Sequence, residues 1–302
     1  MRHVRFRLIT LVGISLAAPW ASPSHASSEQ TPAVPAVDIV RRAVDAEAAA
    51  QHSDLKFMFR DRKQTPNGSQ TRLMAETVDA MAAMTIAYND KPLTPEQRQG
   101  EMDRLHRLAG SPGDLKRKHQ KEQDDADHAA RIVRALPEAF LYDYAGTAPG
   151  EPGMGTPGSQ LLKLNFRPNP DYEPPTHVEQ VLTGMHGYVL IDPQNDRLAK
   201  IDGTLFKDVA FGWGILGHLD RGGRFVVVQG EVGQGGWEIT RMDLSFTGKI
   251  LLFKSINIQS TEVFTDFQPV PENLTFAQAV DLLAKREAAF AENASAKSES
   301  KQ

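Results

Sequence analysis

With 302 residues, 40% hydrophobic and 24% charged, the chain can bury a sizeable core and has the make-up of a soluble globular protein. A formal charge of -4 argues against a general nucleic-acid binder. The absence of cysteine excludes disulfides, a thiolate nucleophile and a cysteine-borne lipid anchor.

The first 26 residues read as a secretory signal: Arg2, Arg5 and Arg7 precede an apolar run from Leu8 to Ala18, and Ser24-His25-Ala26 is a small-residue cleavage site. The apolar run is shorter than the about 20 residues that span a bilayer. Cleavage after Ala26 is therefore expected, giving a periplasmic or secreted chain with no transmembrane segment. Losing three arginines takes the charge from -4 to -7. Residues 27–37 read as a linker, with Pro32 and Pro35 in a polar setting.

A helix is expected from Asp38, its cap, to about His52, with Ile39, Val40, Ala43, Val44 and Glu47 at helical spacing. Leu55 to Arg60 alternates as a strand, Pro66-Asn67-Gly68 turns, and Thr71 to Val78 returns. Ala83 to Tyr88 is a third strand, although alanine and methionine also favour helix. Thr94-Pro95-Glu96-Gln97 is a capping-box start. Ser111-Pro112-Gly113-Asp114 repeats the signal, and Leu115, His119, Glu122, Ala126, Ala129, Val133 and Leu136 follow at steps of three and four as a seam. A helical hairpin over 94–136, closed by Pro137, is thus expected between strands.

Ala139 to Tyr144 reads as a short strand, Glu151 to Ser159 as a loop, and Gln160 to Phe166 as a strand ended by Pro168 and Pro170. Thr176 to Leu182 fits a helical turn or a strand. Met185 to Phe267 then reads as a β-meander, with reversals at Pro193 to Asp196, Asp220 to Gly223 and Gly233 to Gly236. Val209, Phe211, Trp213 and Ile215 share one face of a strand. Trp237 and Ile239 keep one parity and Met242, Leu244 and Phe246 the other, which predicts a bulge near Thr240-Arg241. The strand from Ile250 to Ile258 is apolar on both parities and is expected to be central with apolar surroundings on both sides. Asn273 or Thr275 caps a last helix, and residues 291–302 read as a solvated, disordered tail of a single domain spanning 38–290.

Gly153-Met154-Gly155-Thr156-Pro157-Gly158 has the letters of a dinucleotide fingerprint, but with a proline inside and a strand behind it the stretch reads as a loop. Asp124 and His128 lie one helical turn apart, yet Lys116, Arg117, Lys118 and Lys121 share the stretch, which marks a solvated face. No acid, base and nucleophile set assembles from spacing, so no catalytic residue, metal or cofactor is assigned. Phe211, Trp213, Phe225, Trp237 and Phe253 are candidate ligand-binding residues or plain core. Lys254 interrupts an apolar parity and either snorkels to the rim or meets an anionic head group.

The mature chain resembles the periplasmic lipoprotein-sorting carriers (LolA/LolB-like). The resemblance is carried by Gly187-Tyr188-Val189-Leu190-Ile191-Asp192-Pro193 leading into Arg197-Leu198-Ala199-Lys200-Ile201, and by Phe211 to Gly217 and Leu252-Phe253-Lys254. It implies an α+β fold: a curved antiparallel unclosed β-barrel, or half-barrel, with an N-terminal helix, an inserted helical hairpin and a C-terminal helix. It further implies an apolar hollow that accepts acyl chains, and no catalysis. The expected function is an exported binder or carrier of a lipid, acyl chain or lipoprotein in the cell envelope. The alternative is an envelope interaction or sensor protein that uses the half-barrel as a scaffold and meets its partner through 94–136.

Overall fold

The computed structural model describes residues 34–50, 55–211, 217–250 and 254–299; the expected signal and most of the linker lie outside them. The first helix, α1 (Ala36–Ala50), starts two residues before Asp38. The carbonyl of Pro35 accepts from the Asp38 and Ile39 N–H groups, so Asp38 sits in the first turn and holds Arg41 at 2.7 Å rather than capping. The strands β1 (Lys56–Thr65), β2 (Gly68–Ala75) and β3 (Ala82–Tyr88) follow as a meander, and the two-residue β4 (Lys91–Pro92) ends the edge.

At the start of α2 (Pro95–Ala109) the capping box is complete: Thr94 Oγ1 accepts from Gln97 N–H at 3.3 Å and Gln97 Oε1 from Thr94 N–H at 2.9 Å. The following α3 (Pro112–Ala139) runs two residues beyond Pro137, whose ring lies inside the last turn. Near the end of a helix the missing N–H costs a single bond, so the proline does not terminate it. The strands β5 (Phe140–Pro149) and β6 (Gln160–Pro168) come next, then a 3₁₀ turn (Glu179–Gly184), the helical one of the two forms that Thr176 to Leu182 fits. The meander is β7 (Met185–Asp192), β8 (Arg197–Leu205), β9 (Val209–Phe211), β10 (Gly217–Leu219), β11 (Arg224–Gly233), β12 (Gly236–Ile250) and β13 (Lys254–Val270). The last helix, α4 (Phe276–Glu299), has Thr275 Oγ1 accepting from Gln278 N–H, and it continues past residue 290 into the stretch expected as tail.

The fold class expected from the sequence is the one observed. Thirteen antiparallel strands form one sheet that does not close into a barrel, in the order β4-β3-β2-β1-β13-β12-β11-β8-β7-β6-β5, with β10 joining β12 to β9. Cross-strand partners share a face, so the register can be followed from Val189 to Ile201, Val227, Met242, Glu262 and Lys63. On this face α1 and the C-terminal part of α3 cover β5 to β8, burying Val40, Ala43, Leu136, Leu164, Val189 and Ile201. Met58 and Leu73 have the opposite parity and face the other way, where α4 and α2 bury them with Leu105, Phe276 and Leu283. The two helix groups thus cover opposite faces at opposite ends of the sheet.

Thr240 is the bulge that the parity change predicts: Val228 pairs with Arg241 and Gln229 with Ile239, leaving Thr240 without a partner across the ladder. Its hydroxyl donates to the Gly153 carbonyl, which draws the 151–158 loop onto the sheet. The stretch Ile250 to Ile258 is not one strand: Ile250 ends β12 and pairs with Lys254, which opens β13, and β13 is interior, between β1 and β12. Its surroundings are not apolar on both sides, since Ile258 is 46% exposed.

Candidate cleft beneath the long helix

Between α3 and one end of the sheet lies a cleft of about 900 Å³. Five residues of the seam read from the sequence, His119, Glu122, Ala126, Ala129 and Val133, form its roof with Ala130 beside them, so the stripe faces the sheet end. Packing against α1 at its C-terminal end and against α2 near its start holds α3 in place. Along the middle the stripe carries alanines, and Ala126 and Ala129 stay exposed because open space lies beneath them. Met81 N–H donates to Glu122 Oε2 at 3.0 Å, and Lys118 Nζ holds the other oxygen at 2.5 Å.

The floor comes from the starts of β1, β8 and β12 and the end of β2. Phe57 is buried, meets Phe267 edge-on at 6.1 Å, and packs against Gly236, where a Cβ would fall 2.4 Å from its ring. Trp237 donates its indole N–H to the Leu198 carbonyl at 3.2 Å and carries the Arg197 guanidinium over its ring at 5.3 Å. Two large apolar side chains, Leu55 at 45% and Ile239 at 40% exposure, stand in the lining.

Four carboxylates are set into these walls. Glu47 forks onto Arg197, and Glu122 is held as above. Glu76 accepts from Phe57 N–H at 2.7 Å, and burial pushes its carboxyl up despite that bond and Lys56. The Glu238 carboxylate makes no hydrogen bond or ion pair among the described residues, while its backbone pairs with Gly230. Burial first, then the neighbouring Glu76, push it up to about 7; Arg197 opposes the rise and Glu47 adds to it.

A second groove, of about 640 Å³, lies on the opposite face between Val226, Val228 and Gln259. Its charges satisfy one another: Arg224 forks onto Asp202 at 3.0 and 2.8 Å, Lys200 lies 3.3 Å from Asp202, and Arg241 forks onto Asp243 at 2.7 and 3.0 Å. Such a closed network leaves little unmet charge for a ligand.

Of the six candidate ligand-binding residues, Trp237 lines the cleft. Phe211 and Phe225 instead pack against the core under α1, with the Phe225 ring over Gly203. Trp213 and Phe253 lie outside the described residues, as does the side chain of Lys254, whose backbone pairs with Ile250. Sequence reasoning did not single out Phe57, Glu76, Arg197 or Glu238, which sit next to turns or strand ends with no spacing that joins them. Glu47 carried a signal, a carboxylate within the apolar stripe of α1.

The glycine loop is a strap on the sheet. Gly155 N–H donates to the Gln229 carbonyl at 2.9 Å, and Thr156 N–H donates to buried Asp192 at 3.1 Å. The chain then enters β6, with no helix to cradle a pyrophosphate. Asp124 accepts from Gln120 at 2.9 Å within α3, as expected of a solvated helix face.

No family model and no curated protein matches the sequence. Among solved structures, the chain is similar to a DUF1329 family protein from Desulfovibrio piger, with a TM-score of 0.27 and 10% sequence identity over 78% of this chain and 93% of that one.

Proposed function

We propose that this chain is an exported, non-catalytic binder or carrier of a lipid or lipidated protein, whose apolar chain lies in the cleft beneath α3. The observation that carries this reading is the roof: a long helix held near both ends presents Ala126 and Ala129 to open space above Phe57 and Trp237, with Ala130 buried beside them. A volume of about 900 Å³ falls within the range of small-molecule sites, and apolar walls with a few fixed polar groups are typical of them. The likeness to lipoprotein-sorting carriers seen in the sequence points the same way.

Native mass spectrometry of protein purified without detergent, followed by solvent extraction, tests the reading. Co-purifying lipid that is released on denaturation is the expected result. A protein that carries none, and takes up none from vesicles, overturns it.

A further inference from the structure

Resting on the reading that the cleft takes an amphiphile, we propose that the ligand's polar end is an ammonium group, received by Glu238 beside Glu76, while its apolar chain lies against Phe57, Trp237 and the alanine stripe of α3.

The case is charge complementarity inside an apolar cleft. The charged side chains lining it are Glu47 from α1, Lys56 from β1, Glu76 following β2, Glu122 from α3, Arg197 from β8 and Glu238 from β12, with His119 also on α3. Glu47 and Arg197 neutralise each other, and Glu122 has Lys118 and the Met81 N–H. Glu76 has one backbone donor, Phe57 N–H, and the field of Lys56. Glu238 is left, and the cation nearest in effect, Arg197, is already forked by Glu47.

A phosphate or carboxylate head would add an anion to this end of the cleft, where ionisation of Glu238 is already opposed by Glu76 and Glu47. Glu238 is half-buried, and an ammonium would supply the partner its carboxylate lacks, since a partly desolvated charge is tolerated best when it is paired. The same geometry predicts a proton signature. A carboxyl pushed up to about 7 is partly protonated at neutral pH, so an arriving cation drives its proton off.

Titration calorimetry on the purified full chain tests the proposal with single-chain probes below their micellar concentrations: dodecylammonium, dodecyl maltoside, dodecyl phosphate and, without a chain, butane-1,4-diamine. Dodecylammonium is expected to bind roughly ten-fold or more tighter than the phosphate. Its binding should release protons near pH 7, as read in buffers of different ionisation enthalpy. Glu238→Gln, checked for folding by circular dichroism, should lose both the preference and the proton release and still bind the maltoside. Glu76→Gln, with one carboxylate fewer behind the head group, should weaken the preference and serves if the first variant does not fold. Equal affinity for the three heads, or preference for phosphate, overturns the head-group assignment and leaves the binder reading standing. Failure of every chain-bearing probe to bind overturns both. Diamine binding as tight as dodecylammonium supports the ammonium site and counts against a lipid as its source.

Discussion

Glu47 on α1 grips Arg197 at the start of β8 through two parallel hydrogen bonds, Nε to Oε1 at 2.9 Å and Nη2 to Oε2 at 3.1 Å, and its Oε1 also accepts the Leu198 N–H at 3.2 Å. The side chains are 13% and 16% exposed, so the pair is largely desolvated, and Arg197 in turn lies over Trp237. One fork thus ties α1, β8 and β12 together at the wall of the cleft.

Breaking such a pair on one side strands a buried charge, whereas replacing both partners with apolar groups does not. Glu47→Ala is expected to lower stability by about 3 kcal/mol in urea unfolding, and the double variant Glu47→Leu with Arg197→Met by clearly less. A single variant no worse than the double one would show that the fork contributes little.

The pH dependence has a definite sign at Glu238. Its folded pKa, raised from 4.5 to about 7, exceeds the unfolded value, so the folded protein holds a proton that the unfolded chain has released across that window. Its contribution to stability therefore falls as pH rises through the window and is constant above it. At about 1.4 kcal/mol per pKa unit the loss is on the order of 3 kcal/mol. Glu238→Gln should therefore match the parent near pH 4 and exceed it by roughly 2–3 kcal/mol at pH 8. The check is the difference between the two stability curves, and a difference that does not change with pH would refute the assignment.

Two glycines face each other across β7 and β8, Gly187 and Gly203, and each is closed off differently. A Cβ on Gly187 would fall 1.8 Å from the Asp202 carbonyl oxygen, which is backbone and has nowhere to go without parting the strands. On Gly203 it would fall 2.6 Å from the Phe225 ring, which can turn. Gly187→Ala is expected to cost more than about 3 kcal/mol or prevent folding, and Gly203→Ala about 1–3 kcal/mol, the usual range for overpacking. Thermal unfolding of the pair gives the ranking, and the reverse order would be a failure.

Much of the sheet was legible because alternation and turn chemistry are local. The step in parity at Met242 located the bulge at Thr240, and Thr94 with Gln97 fixed the start of α2. The seam on α3 was legible as a stripe, but not what it faced, because alanine suits a close helix contact and the rim of a hollow equally well. Phe225 illustrates the opposite limit. In the sequence it is an aromatic on a meander strand, and only the register that sets Gly203 opposite shows that its ring fills a glycine gap. The acids of the cleft, at positions 47, 76 and 238, are brought together by strand order and by the packing of α1 against β8, which no spacing along the chain encodes.

The alanine stripe separates stability from ligand capacity. Replacing Ala126 and Ala129 with leucine puts new methyl and methylene groups into open space beneath a helix, where no packed neighbour has to move. Cavity filling of this kind commonly stabilises, by about 0.5–2 kcal/mol for each effective change. Leucine is also a strong helix former, so α3 itself is not weakened. The double variant should therefore unfold at the same or a higher temperature than the parent and carry little or no extractable lipid. A variant that is less stable would mean that the space beneath α3 is narrower than about 900 Å³ implies. One that is equally stable and still fully loaded would place the apolar chain of the ligand somewhere other than under this helix.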